Sequence, residues 1–140
     1  MQQLMEFVVN HWVLTALFLA TLIALFFNFF GATLQGYQSV GITEATQVMN
    51  HDDALILDVR ENSEFGEGHI LNARHIPLSQ MKKQLGSFEK YKDKPVIVVC
   101  RSGSRSASGC AMLKKQGFDQ VYNLRGGLMA WKNANLPIAH

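Results

Sequence analysis

Apolar and polar residues follow two different regimes along this chain. From Trp12 to Phe30, WVLTALFLATLIALFFNFF, 19 residues pass with only Thr15, Thr21 and Asn28 breaking an otherwise apolar run. Such a run has no polar face, so as a helix it would be apolar all round. At 1.5 Å per residue it would reach about 28 Å, close to the hydrocarbon thickness of a bilayer. After residue 41 the apolar residues instead come in short bursts separated by polar and turn residues. ALILDV, ARHIPL, KPVIVVC and QVYNL predict strands, and KPVIVVC is the clearest: β-branched, uniformly apolar and opened by a proline. Between them the spacing predicts helices. One is capped by Thr43 and runs to about Met49, where HDD breaks it. Another is a single turn over NSEF. A third, over QMKKQLGSF, is capped by Ser79. The longest runs from Ser104 to Gln116 and is closed by Gly117, and a last short helix covers GGLMAWKNA.

Strands alternating with helices imply a parallel sheet covered on both faces. Ligands of such sheets bind beyond the carboxyl ends of the strands. Cys100 stands at the carboxyl end of the strongest predicted strand.

Charge sharpens the division of the chain. No Asp, Glu, Lys or Arg occurs between Phe7 and Thr43, whereas all 13 Lys and Arg lie at Arg60 or later. The expected organisation is an N-terminal transmembrane anchor over 1–34, a Gly/Ser/Gln-rich linker over 35–41 and one domain over 42–140. MQQLME contains no basic residue and no A-x-A site follows the run, so the segment reads as a retained anchor and not a cleaved signal. Basic side chains confined to the far side of the helix, and thiols that need a reducing compartment, place the domain in the cytoplasm on a single-pass inner-membrane anchor. The domain carries only about three excess positive charges, scattered along it, which argues against nucleic acid. Two cysteines ten residues apart make no disulfide framework, and no Cys/His spacing suggests a zinc site.

The chemistry gathers at CRSGSR, residues 100–105. A thiol becomes a strong nucleophile only as a thiolate. Small residues let successive amides curl toward the sulfur, Gly103 permits the tight turn, the following helix presents its positive end, and Arg101 and Arg105 add charge. Cys110 lies at apolar spacing inside the helix and reads as an inert packing residue.

LILDVRENSEFGEGHILNARHIPL, VIVVCRSGSRS and VYNLRGGLMAWKNANLP, in that order, resemble the successive signatures of the rhodanese-like domain over roughly residues 41–139. The resemblance implies an α/β fold with a five-stranded parallel sheet flanked by helices. It also implies a sulfurtransferase in which Cys100 carries sulfane sulfur as a persulfide, with no metal or organic cofactor. Arg101, Ser102, Gly103, Ser104 and Arg105 would form the substrate-binding loop for a small sulfur-containing anion or thiol. Asp58, Arg60, Glu64 and His69 match the flanking signatures. By their chemistry the charges of Asp58, Arg60 and Glu64 pair with one another or with loop amides as scaffold. Trp131 is expected in the core, and Gly126 and Gly127 at a close backbone approach. Asn72 and Asn135 replace glycines usual in the family and are expected to keep the same turns at positive φ. A cysteine phosphatase of related fold would need C-x5-R, but its arginine position holds Ser106. The alternative to catalysis is an interaction module whose helix binds an integral membrane protein partner.

Overall fold

In the computed structural model, which describes residues 1–51 and 53–140, the chain divides into two units, Met1–Leu34 and Gln35–His140. The first is helical: α1 (Gln2–Asn10) and α2 (Trp12–Leu34), separated only at His11. The hydroxyls of Thr15 and Thr21 donate to the carbonyls of His11 and Leu17, at 3.2 and 2.8 Å, so the helix itself satisfies these polar groups. Trp12–Gly31 is long and apolar enough to cross a membrane, with mean hydropathy 2.3 and none of it buried in the protein.

The second unit is an α/β layer structure. Its strands are β1 (Gln38–Val40), β2 (Leu55–Asp58), β3 (His69–Ile70), β4 (Arg74–His75), β5 (Val96–Val99), β6 (Val121–Leu124) and β7 (Ile138–Ala139). Its helices are α3 (Ile42–His51), α4 (Asn62–Gly66), α5 (Met81–Gln84), α6 (Ser104–Lys115) and α7 (Gly127–Asn133). Five strands form one parallel sheet in the order β1-β6-β5-β2-β4, with Val96, Ile97, Val98 and Val99 in register with Leu55, Ile56, Leu57 and Asp58. The apolar character of β2 and β5 follows from this position: both are central and buried along their whole length.

Period-two alternation sends Ile56, Ile97 and Val99 to one face, where Ala45, Leu128 and Trp131 join them. Val98 points to the other face, toward α6, where Gly109 comes so close that a Cβ there would lie 3.2 Å from Val98 Cγ1. The Trp131 ring is buried as expected, and its indole N–H donates to the carbonyl of Pro137 at 3.0 Å. Asn72 and Asn135 adopt φ of 63° and 55°, the left-handed turns expected of them.

Several expectations need correcting. Residues 38–40, read as linker, form β1 at the sheet edge. Thr43 is not a cap, because α3 begins at Ile42, and it continues past Met49 to His51; of HDD, Asp52 lies outside the described residues. Ser79 lies inside a 3-10 turn, Leu78–Gln80, and the helix expected after it is one α turn, α5, followed by 3-10 structure over Leu85–Tyr91. The ARHIPL strand shortens to Arg74–His75. A small antiparallel pair, β3 with β7, was not foreseen.

Candidate active site

Cys100 follows directly on β5, and the loop 101–103 leads into α6. Gly103 adopts φ 108°, a conformation costly to any residue with a Cβ, and this turns its amide back onto the cysteine. The Gly103 N–H donates to Cys100 Sγ at 3.0 Å. Burial pushes the Cys100 thiol up, but the Ser106 hydroxyl and the amides of Ser106, Gly103 and Ser102 outweigh it and hold the thiol below the ordinary cysteine value. The anion cup expected from CRSGSR is thus made first of backbone and hydroxyl hydrogens. Cys100 itself is 0 % exposed.

A second set of backbone bonds fixes the loop from behind. The amides of Leu128 and Met129, in the first turn of α7, donate to the carbonyls of Cys100 and Arg101 at 2.9 and 3.2 Å. This contact requires glycine at 127: with φ 55°, a Cβ there would stand 2.5 Å from the Cys100 carbonyl oxygen. The close approach expected of Gly127 is therefore present.

The charged residues divide into three. Asp58 and Arg60 form a buried ion pair, 1 % and 5 % exposed at the side chain, with Arg60 Nη2 2.7 Å from Asp58 Oδ2. The Arg60 guanidinium also donates to the carbonyls of Glu64 and Gly68, at 3.0 and 2.8 Å, so each of its nitrogens has an acceptor to offset the burial. Glu64 was expected to pair within this group or with loop amides. Its carboxylate instead takes Arg105 in a two-pronged pair, at 2.7 and 2.8 Å, joining α4 to the first turn of α6. The Arg105 guanidinium holds the Glu64 carboxyl down at about 2. Arg101 is exposed and takes part in none of the ion pairs among the described residues. It lines a cleft of about 210 Å³ with Glu67, Met129 and Lys132. His69 stacks on Phe65 with ring centroids 3.9 Å apart, and His75 stacks on Phe65 at 4.4 Å.

Two residues behind the sulfur were not anticipated. Ser106 Oγ lies 3.3 Å from Cys100 Sγ and 2.6 Å from Asn123 Oδ1. Asn123 sits in β6 within VYNL, and a polar side chain in an otherwise apolar buried strand was the signal for it. Cys110 is buried, and that burial, followed by the charge of Cys100, pushes its thiol well above the ordinary value.

The chain belongs to the rhodanese-like domain family, whose family model matches residues 42–134. It is 36% identical over 139 residues to the uncharacterized protein YibN of Escherichia coli (strain K12), covering 99% of this chain and 97% of that one. It is 41% identical over 96 residues to the thiosulfate sulfurtransferase GlpE of Coxiella burnetii, covering 69% of this chain and 88% of the relative. Among solved structures, a rhodanese-related protein from Thermoplasma volcanium superposes with a TM-score of 0.66 at 29% identity, covering 74% of this chain and 98% of that one.

Proposed function

We propose that this protein is a membrane-anchored sulfurtransferase that carries sulfane sulfur on Cys100. The observation that carries the reading is the Gly103 amide 3.0 Å from Cys100 Sγ, in a cup that favours the anion. The Cys100 thiolate attacks the outer sulfur of a donor such as thiosulfate. A new S–S bond forms, the donor's S–S bond breaks, and sulfite leaves with the electron pair. A thiophilic acceptor, cyanide or a thiol, then attacks the outer sulfur of the persulfide, and the electron pair of that bond returns to Cys100 as thiolate. Electrons balance within the two exchanges, so the chemistry calls for no metal or organic cofactor. Amides and a hydroxyl that solvate a thiolate also solvate the persulfide anion, which keeps the charge in the same cup.

Among the loop residues, Arg101 is the better placed to receive an anionic donor, because it lines the cleft without an ion-pair partner among the described residues, while Arg105 is committed to Glu64. Ser102, Gly103 and Ser104 contribute the curl of the loop. Asp58, Arg60 and Glu64 brace it, and His69 packs in the same flanking segment. The helix Trp12–Leu34 tethers the domain to the inner membrane, with residues 42–140 on the cytoplasmic side.

The test is the intact mass of purified protein before and after thiosulfate. The reading expects a gain of one sulfur atom, carried by the peptide containing Cys100 and lost on addition of cyanide. No gain, or a gain that persists in Cys100→Ser, would remove it.

A further inference from the structure

Ser106 has one hydroxyl proton and two neighbours that can accept it. Asn123 Oδ1 is at 2.6 Å and Cys100 Sγ at 3.3 Å, and Ser106 is fully buried, so no water competes. The Asn123 amide cannot turn to relieve the conflict. Its Nδ2 donates to the Gly103 carbonyl at 3.1 Å, and a carbonyl can only accept. The oxygen of Asn123 is therefore held facing Ser106.

We infer that Asn123 is a positioning residue that holds the Ser106 proton away from the sulfur, so that Ser106 acts as a two-position switch read by the state of Cys100. With Cys100 as a thiol, the hydrogens run in one direction: Sγ–H to Ser106 Oγ, and Ser106 O–H to Asn123 Oδ1. When Cys100 loses its proton to solvent, the Ser106 hydroxyl turns to donate to the thiolate. Its lone pairs then face Asn123 Oδ1 at 2.6 Å, two acceptors without a hydrogen between them. The turn stabilises the anion, and Asn123 opposes the turn. Together they set how readily Cys100 ionises, between the fully solvated thiolate that Ser106 alone would give and the poorer one that the loop amides alone would give. This deepens the sulfurtransferase reading, since the same turn would serve the persulfide anion.

Two further titratable groups feel the charge of Cys100. They are Arg105, held by Glu64 of α4, and Cys110 of α6, whose thiol ionises far above the range of interest. Neither residue is altered in the Ser106 and Asn123 variants that test the inference.

The experiment is a pH titration of the ultraviolet thiolate band of the full-length protein, which needs neither a reagent to enter the loop nor sulfur transfer to occur. Asn123→Leu should move the Cys100 midpoint down, and Ser106→Ala should move it up, each by about one pH unit, the scale of one hydrogen bond to a charged group. Ser106→Thr should restore the wild-type midpoint. In the Ser106→Ala background, Asn123→Leu should lose its downward shift, because the hydroxyl whose proton Asn123 holds is gone. Asn123→Asp keeps the shape and the acceptor and should move the midpoint up. An upward or absent shift in Asn123→Leu, or an equal shift with and without Ser106, would overturn the inference. A wild-type protein that takes no sulfur from thiosulfate would count against the sulfurtransferase reading alone, because the titration does not depend on it.

Discussion

At the scale of single residues, the two cysteines show how environment, not residue type, decides reactivity. Cys100 has amides turned toward its sulfur and a hydroxyl within reach of it, whereas Cys110 has burial working against ionisation. Cys100→Ser should abolish sulfur transfer from thiosulfate to cyanide. Cys110→Ala should leave its rate within a factor of a few, because the residue only packs. A steady-state assay of the two variants side by side checks both. Glu64 offers a different test. Its carboxyl is held at about 2, below the usual carboxylate value, so its pairing with Arg105 stabilises the fold fully above the unfolded value and loses that contribution as pH falls through the folded one. With the partners about a quarter and a third exposed, solvent screening limits this to on the order of 1 kcal/mol. Denaturant midpoints of wild type and Glu64→Gln should therefore differ at neutral pH and converge as the pH approaches 2. A constant difference across that range would show that the ion pair is not the cause.

At the scale of elements, the site is the meeting of β5, the loop after it, and the first turns of α6 and α7. Gly127→Ala tests that meeting. The added carbon would stand 2.5 Å from the Cys100 carbonyl oxygen, and φ of 55° is already unfavourable for alanine. Overpacking and backbone strain together should cost about 2–4 kcal/mol, read as a lower denaturant midpoint, and should slow Cys100 with it because the Leu128 and Met129 amides are displaced. Wild-type stability in this variant would mean that α7 does not hold the loop. Much of this arrangement was legible in the sequence: β2, β5 and β6 as apolar runs, α6 between the glycines at 103 and 117, and the cysteine at the strand end. The rest was illegible for physical reasons. β1 is three residues long and the β3–β7 pair two residues on each strand, too short for a period of two to register against a polar background. The segment after Ser79 carries helical apolar spacing, but it winds mostly as 3-10 turns, which the positions of Met81, Leu85 and Phe88 do not distinguish from an α-helix. The Glu64–Arg105 pair joins residues 41 apart, and only the tertiary fold chooses Arg105 over Arg60 as the partner.

At the scale of the whole molecule, the question is why a small rhodanese-like domain follows a helix apolar on every side. None of the window Trp12–Gly31 is buried by the protein, so in water that helix would expose sixteen apolar side chains. A bilayer removes the conflict: at 1.5 Å per residue the window is about 30 Å long, the thickness of the hydrocarbon core. Flanking charge gives the proposed cytoplasmic side little support. Basic residues occur only after the helix, but the first of them, Arg60, is 26 residues beyond Leu34, too far for flanking charge to direct insertion strongly. The proposed cytoplasmic side rests on the thiol. An unpaired cysteine held ready to ionise would be oxidised in a compartment that forms disulfides, and it persists where thiols are kept reduced. The full-length protein should stay in the membrane pellet after alkaline carbonate, and a chain beginning at Gln35 should be released. In intact spheroplasts, added protease should leave the domain whole, and it should cut the domain once the inner membrane is opened. Digestion before opening would place Cys100 on the oxidising side, where the persulfide would meet extracytoplasmic donors and the cytoplasmic orientation would have to be given up.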